Sequence, residues 1–194
     1  HGLAKNIELS YNTNLSYQGV FKGYDIETLW SNFKKVDLWP SIEGFGDQAE
    51  YGRKGLDINL FKNNAEKFSQ YISTFSLVSS IYSISSNIDL IKWIKEINKS
   101  FSITNLSNPN YMSTTVLPSS IKKNIIQKYK QHLQEVELSR YELNTIMDSL
   151  KYMLSSDDSN LAPKFKQITK RSDEFRNESF DTVYPEFAEW YKNI

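Results

Sequence analysis

The stretch Ile7-Glu8-Leu9-Ser10-Tyr11 alternates apolar and polar residues, the period-two pattern of a half-buried β-strand. Three further segments carry strand signals, and a helical pattern separates each strand from the next. We therefore predict strands over residues 7–13, 36–41, 74–84 and 101–106. Strands that alternate with helices are typical of a parallel sheet with helices packed outside it. The predicted fold class is α/β, as a piece of a barrel or of a doubly wound sheet.

The helical patterns have start signals of their own. Asp25 is a plausible N-cap for the first helix, the second helix opens near Asp57, and Ser86-Asn87 precedes the third. After Pro118 every pattern is helical, and Pro163 fits the first turn of a later helix. We predict a partial α/β barrel over residues 1–118 and a helical C-terminal region, packed on it, over residues 119–194.

Composition excludes several classes of function. The 23 basic and 23 acidic side chains cancel, so no net field recruits nucleic acid or anionic lipid. No apolar run approaches the roughly 20 residues that span a bilayer, and the start does not read as a signal peptide, so we expect a cytoplasmic protein without a membrane partner. The chain has no cysteine, which excludes disulfides and thiolate-ligated metal within it.

Polar residues follow the predicted strands, at the ends where ligands bind in parallel α/β folds. Asn12-Thr13-Asn14 ends the first strand, while Ser41 and Glu43 end the second and Arg53 lies in the loop beyond. The glycines of that loop make a fold-back feasible, which would return Arg53 to the rim within reach of Ser41 and Asn12. The third strand end contributes a further hydroxyl-rich group: Ser79, Ser80, Tyr82, Ser83 and Ser85. Together they predict a polar rim for a cofactor with ribose hydroxyls and an α-carboxylate, which the Arg53 guanidinium could bind through two parallel hydrogen bonds. Taken singly, most of these patterns are more typical of ordinary turns and loops, and their shared position after successive strands is what favours a ligand site.

Acid–base and metal chemistry have little support in the sequence. The carboxylates of Glu43, Asp47 and Glu50 could be read as a metal-binding cluster, but their spacing along a loop indicates such a site only weakly. We therefore predict no metal site. His132 lies within a helical pattern, which favours a surface histidine over a catalytic one.

Five short motifs resemble those of twitch-type radical S-adenosylmethionine (radical SAM) proteins, which are often met in bacterial and phage genomes. Residues 10–14 resemble the TNG-type end of the family's fourth barrel strand, and residues 39–44 with Arg53 resemble its SLDG…R stretch. Residues 50–55 are similar to an EYxRxG run. Residues 108–122 and 173–186 resemble the NPxxL…LPxxxK stretch and the D..R..SF…PE tail. The motifs are collinear over nearly the whole chain.

The resemblance implies a partial (β/α)6 barrel, of which this chain would form the C-terminal part with about four βα units. It implies that Asn12, Thr13 and Ser41 lie near the ribose and amino-acid part of S-adenosylmethionine, and that Arg53 pairs with its carboxylate. Asn14 and Glu43 belong to the same strand ends, although Glu43 stands where aspartate is commoner and Leu15 follows Asn14 where many relatives have glycine. The implied activity of the full-length protein is hydrogen abstraction by a 5′-deoxyadenosyl radical from an unknown substrate, a small molecule or a peptide.

The family's CxxxCxxC loop and GGE motif are absent from this chain. We therefore expect S-adenosylmethionine and a 4Fe–4S cluster to be cofactors of the full-length protein, and this chain alone to hold no cysteine-ligated cluster and to be inactive. An unpaired strand edge at residues 7–13 predicts the missing N-terminal half of the same barrel as a partner. His1-Gly2 is then interpreted as the end of a preceding helix with Gly2 at its C-cap, and the alternative is a tag scar.

Two other functions stay open. The first is a barrel that has lost catalysis and serves as a binding or scaffold module. The second is an unrelated α/β domain whose helical C-terminal region binds a partner.

Overall fold

The computed structural model describes residues 2–21 and 23–194. Its strands are β1 (Glu8–Thr13), β2 (Val20–Phe21), β3 (Tyr24–Asp25), β4 (Lys35–Ile42), β5 (Thr74–Ser79) and β6 (Ser100–Asn105). The main sheet contains four parallel strands whose spatial order follows the chain, β1-β4-β5-β6. The α/β class and the parallel, consecutive arrangement are therefore confirmed. The short antiparallel pair of β2 with β3 was not predicted.

Helices connect the strands and make up the region after Pro118, as the sequence predicts. They are α1 (Ile26–Trp30), α2 (Asp47–Gly52), α3 (Ile58–Lys67), α4 (Asn87–Glu96), α5 (Ser119–His132), α6 (Arg140–Leu154), α7 (Ala162–Arg176), α8 (Phe180–Val183) and α9 (Ala188–Asn193). Short 3-10 helices cover Leu3–Asn6, Ser69–Tyr71, Asn110–Met112, Thr114–Val116, Leu133–Glu135, Ser159–Leu161 and Pro185–Phe187. None of these described helices combines the length and the apolar character that crossing a membrane requires.

Two side-chain caps confirm the predicted helix starts. Asp25 Oδ1 accepts from the Glu27 N–H at 2.8 Å at the start of α1. Asp57 Oδ1 accepts from the backbone N–H groups of Asn59 and Leu60, each at 2.9 Å, at the start of α3. Both caps satisfy N–H groups that have no partner within the first turn of a helix. Gly2 has a φ of 66° and directly precedes the 3-10 helix Leu3–Asn6. The interpretation of His1-Gly2 as the end of an earlier helix falls partly on His1, which lies outside the described residues.

The predicted third strand, 74–84, is wrong beyond Ser79. The Ser83 hydroxyl donates to the Val78 carbonyl at 2.6 Å and accepts from the Ser80 N–H at 3.0 Å, so the chain turns instead of continuing the strand. Hydroxyls that bond to nearby backbone groups compete in this way with the sheet ladder. The motif at residues 50–55 also differs from expectation, since its first half belongs to helix α2 rather than to a loop.

The main sheet has one packed face and one more open face. Leu38, Ile42, Phe75 and Phe101 lie on the packed face and are at most 1 % exposed. Helices α3 and α4 cover them, as the edge-on contact of the Phe75 and Trp93 rings at 5.7 Å illustrates. The opposite face carries polar side chains that are exposed or half-buried: Glu8, Ser10 and Asn12 on β1, Asp37 and Ser41 on β4, Ser76 on β5, and Ser102 and Thr104 on β6.

The helical C-terminal region packs on the loops that follow β4 and β5. The Tyr184 hydroxyl donates to the Tyr82 carbonyl at 2.7 Å, and the Tyr129 hydroxyl donates to the Ile84 carbonyl at 3.0 Å. Tyr184 also stacks on Phe180 with ring centroids 4.5 Å apart. This packing buries much of the loop after β5, which has consequences for the predicted rim.

Candidate ligand site at the strand ends

The Arg53 guanidinium lies at the carboxyl end of β4. Its Nη1 donates to the Ser41 carbonyl oxygen at 3.0 Å, and its Nη2 donates to Glu43 Oε1 at 2.9 Å. The Arg53 and Glu43 side chains are 29 % and 31 % exposed, so solvent or a ligand can reach both. The prediction that Arg53 folds back to Ser41 is confirmed, and the ion pair with Glu43 was not anticipated.

The turn after β4 sets the position of Glu43. Gly44 has a φ of 79°, and a Cβ there would lie 2.8 Å from the Ser86 hydroxyl, so only glycine fits without a shift. The Gly44 N–H donates to Asn87 Oδ1 at 3.2 Å, and the Phe45 N–H donates to Ser86 Oγ at 3.0 Å. These bonds fasten the turn to the start of α4 and leave Glu43 at the end of the strand, within reach of Arg53.

Helix α2 brings Arg53 back towards the sheet. The Arg53 N–H closes α2 on the Ala49 carbonyl at 2.9 Å, directly after Gly52. Glu50 Oε1 accepts from the Ile58 N–H at 3.0 Å and ties α2 to the start of α3. Glu50 therefore has a structural partner of its own and does not converge with Glu43. Among residues 2–21 and 23–194, no group of three or more His, Cys, Asp or Glu side chains could hold a metal ion.

The three residues predicted at the end of the first strand have different surroundings. Asn12 is exposed, pairs in register with Trp39 and faces the same open side of the sheet as Ser41. Thr13 faces the packed side, and its hydroxyl accepts from the Leu15 N–H at 3.1 Å. Asn14 lies just past the strand, where its Oδ1 accepts from the Ser16 N–H at 3.2 Å. The structure thus brings Ser41, Glu43 and Arg53 together. Asn12 is on the neighbouring strand and shares only the open face with Ser41, while Thr13 and Asn14 bond within the turn.

The hydroxyl-rich segment after β5 does not form an open rim. Ser79, Ser80, Ser83 and Ser85 are at most 4 % exposed. Ser85 donates to Gln48 Oε1 at 2.9 Å, which joins this segment to α2. The expectation that these serines form an open ligand rim is corrected. Ser80, Ser83 and Ser85 bond to backbone and side-chain partners beneath the C-terminal helices, and the buried Ser79 hydroxyl has no hydrogen-bond partner among the described residues.

A cavity of about 900 Å³ lies at the opposite end of the sheet from these strand ends. Its lining includes Asn98, Lys99 and Ser100, so it lies at the amino end of β6. Its walls carry paired charges, namely Lys92 with Glu135 and Lys95 with Glu142. Because ligands of parallel α/β sheets bind at the carboxyl ends of the strands, we place the candidate site at Arg53.

In comparisons with known proteins, no family model, curated protein or solved structure matches this chain.

Proposed function

We propose that this chain is the C-terminal part of a twitch-type radical SAM barrel and that the Arg53 end of β4 holds the amino-acid part of S-adenosylmethionine. The observation that carries the proposal is the Arg53 guanidinium held between the Ser41 carbonyl and the Glu43 carboxylate. The consecutive parallel strands and the polar open face are consistent with part of a barrel lumen.

The charges at this end suit a zwitterion. The guanidinium has five N–H donors, and its two described bonds leave donors for a carboxylate. The Glu43 carboxylate beside it can accept from an ammonium group. An α-amino acid carries both charges on one carbon, so the pair Arg53–Glu43 matches the methionine moiety in the sign of its charges.

The residues present therefore fit S-adenosylmethionine at Ser41, Glu43 and Arg53, with Asn12 available for ribose hydroxyls. When bound to a reduced cluster, this cofactor supplies the 5′-deoxyadenosyl radical for hydrogen abstraction. The chain's own residues would bind and orient it. They do not fit the 4Fe–4S cluster, because the chain has no cysteine.

Nuclear magnetic resonance of the ¹⁵N-labelled chain tests the site. Titration with S-adenosyl-L-methionine is expected to give saturable shifts at the amides of Asn12, Ser41 and Glu43. Arg53→Lys keeps the charge but removes the planar fork, so we expect about tenfold weaker binding. Arg171→Lys, an exposed change on α7, is the matched control and should bind as the parent does. Absence of saturable shifts at these strand ends, or equal binding by Arg53→Lys, would contradict the proposal.

The partner implied by the proposal is the N-terminal half of the same barrel. Strand β1 is at the edge of the described sheet, where its only neighbour is β4. A strand of the N-terminal half would pair with the opposite side of the β1 backbone. The coding sequence upstream of residue 1 tests this: the proposal expects a CxxxCxxC motif followed by Gly-Gly-Glu, and an in-frame start codon in their place would contradict it.

A scaffold function is the second candidate, favoured by one observation on α6. Leu143, Met147 and Leu154 lie on one side of this helix and are 42 %, 41 % and 56 % exposed. Such a stripe suits the face of a helical partner. If S-adenosylmethionine does not bind at Arg53, this candidate becomes the better account.

A further inference from the structure

A second cavity, of about 340 Å³, lies where the C-terminal helices meet the loops that follow β4 and β5. Its walls come from the start of α2, the start of α4, helix α5 and the turn before α9. The volume is within the range of small-molecule sites, near the lower end. The cavity shares no lining residue with the Arg53–Glu43 pair, so its use is independent of the radical SAM proposal.

The floor of this cavity is apolar. Ile121, Ile125 and Phe187 line it and are 8 %, 4 % and 1 % exposed. A ligand in contact with these residues would transfer its apolar part from water to a surface made of two branched aliphatic side chains and one aromatic ring. This favours an aryl or branched-alkyl group.

The rim of the cavity is polar and carries an excess of negative charge. Two carboxylates, Asp89 and Glu186, line it with one ammonium, Lys128. Lys128 Nζ already donates to Asp89 Oδ2 at 3.0 Å and to the Ser85 carbonyl at 2.7 Å. The one described partner of the Glu186 carboxylate is neutral: Gln48 Nε2 donates to its Oε1 at 3.0 Å. Glu186 is therefore the charge that the cavity leaves uncompensated among the described residues.

We propose that this cavity binds a small organic cation, a primary amine with an aryl or branched-alkyl body. The body packs on Ile121, Ile125 and Phe187, and the ammonium group donates to the Glu186 carboxylate. Two contacts with Tyr184 hold Phe187 in place. The Phe187 N–H donates to the Tyr184 carbonyl at 2.9 Å, and the two rings stack with their centroids 6.1 Å apart. The floor is thus preorganised by the helical C-terminal region.

The test compares two probes of equal size on the ¹⁵N-labelled chain: 2-phenylethylammonium and the neutral 2-phenylethanol. A probe of about nine heavy atoms is expected to bind with a Kd of about 1 mM. The cation should bind about threefold to fivefold more tightly than the alcohol, because the Glu186 carboxylate is at an exposed rim. Saturable shifts are expected at Gln48, Ser85 and Asn124, which line different walls.

Two variants assign the preference to one carboxylate. Glu186→Gln should bind the two probes equally, because it keeps the size and loses the charge. Glu189→Gln, an exposed neighbour outside the cavity lining, should keep the preference for the cation. The proposal is overturned if neither probe gives saturable shifts at these walls, if both bind the parent equally, or if Glu186→Gln retains the preference. Thermal unfolding of each variant tests whether the fold is unchanged.

Discussion

The Tyr51 hydroxyl donates a hydrogen bond of 2.5 Å to Asp173 Oδ1, which joins helix α2 to helix α7 across 122 positions of the sequence. The second oxygen of Asp173 accepts from the Phe180 N–H at 2.9 Å, and Arg176 Nη1 donates to the Tyr51 carbonyl at 3.1 Å. Burial, and then the bond to Asp173, raise the pKa of Tyr51 far above its ordinary value, so the phenol stays protonated and remains a donor. These bonds fasten the loop after β4, which carries Arg53, to the C-terminal helices.

Tyr51→Phe should lower the free energy of unfolding by about 1–2 kcal/mol, because it leaves one oxygen of the half-buried Asp173 carboxylate without its donor. Urea unfolding at pH 7 measures the loss. The matched control is Tyr141→Phe, at a tyrosine 62 % exposed, and it should change stability by no more than a few tenths of a kcal/mol. Equal stability of the two variants would mean that the Asp173 bond does not stabilise the contact between the loop and the helices.

Asn64→Ala should lower the free energy of unfolding by about 2 kcal/mol. The Asn64 amide is 6 % exposed, and its Nδ2 donates to the carbonyls of Leu15 and Tyr17, each at 2.7 Å. Removing the amide leaves two carbonyl oxygens of the turn after β1 without this donor. Asn63→Ala, at the exposed neighbour, is the control. If both substitutions cost the same, the turn does not depend on the Asn64 bonds.

Glu142→Gln should destabilise the protein at pH 7 by about 2 kcal/mol, with a difference from the parent that shrinks in acid. Burial alone would raise the pKa of Glu142, but hydrogen bonds from Lys95 and from the Ser139 N–H outweigh it, and the pKa is below its ordinary value. A lowered folded-state pKa gives stability that is fully present above the unfolded pKa, about 4.3, and is lost as the pH falls through the folded value. Urea unfolding at pH 7 and below pH 4 measures the difference.

The control for Glu142 is Glu137→Gln, an exposed carboxylate on the segment before α6. It should match the parent at both pH values. A Glu142→Gln deficit that is the same at low pH as at pH 7 would show that the lost contribution is not ionic.

Arg53→Lys should change the free energy of unfolding by less than about 1 kcal/mol, because an ion pair this exposed contributes little. Its effect should instead appear as weaker binding of S-adenosylmethionine. Thermal unfolding of Arg53→Lys, with Arg171→Lys as the control, measures the change in stability. A loss of several kcal/mol would show that Arg53 holds the loop together and that weaker binding in this variant reflects misfolding.

The chain alone, after anaerobic reconstitution with iron and sulfide, should show no iron–sulfur absorbance and no reductive cleavage of S-adenosylmethionine, because it has no cysteine to ligate a cluster. Ultraviolet–visible spectra and an assay for 5′-deoxyadenosine measure both. Stoichiometric iron bound by this chain would require ligands other than cysteine.

The sequence by itself determined the parallel sheet, the helical region after Pro118, the cap at Asp25 and the start of a helix near Asp57. These features depend on hydrophobic periodicity and on side chains that bond to backbone groups two or three residues away. Both signals come from residues that are close together in the sequence. The fold-back of Arg53 to Ser41 was also predicted, since glycines in the intervening loop permit it.

Only the tertiary structure decided which polar groups face solvent and which face each other. The serines after β5 have the composition of a ligand rim, yet the C-terminal helices bury them, and that packing is set by side chains such as Tyr129 and Tyr184 far along the chain. The Glu43–Arg53 pair and the 340 Å³ cavity likewise depend on segments that meet only after folding. Most buried hydroxyls and charges have a hydrogen-bond partner, and the sequence does not say which of many distant candidates lies within about 3 Å of each of them.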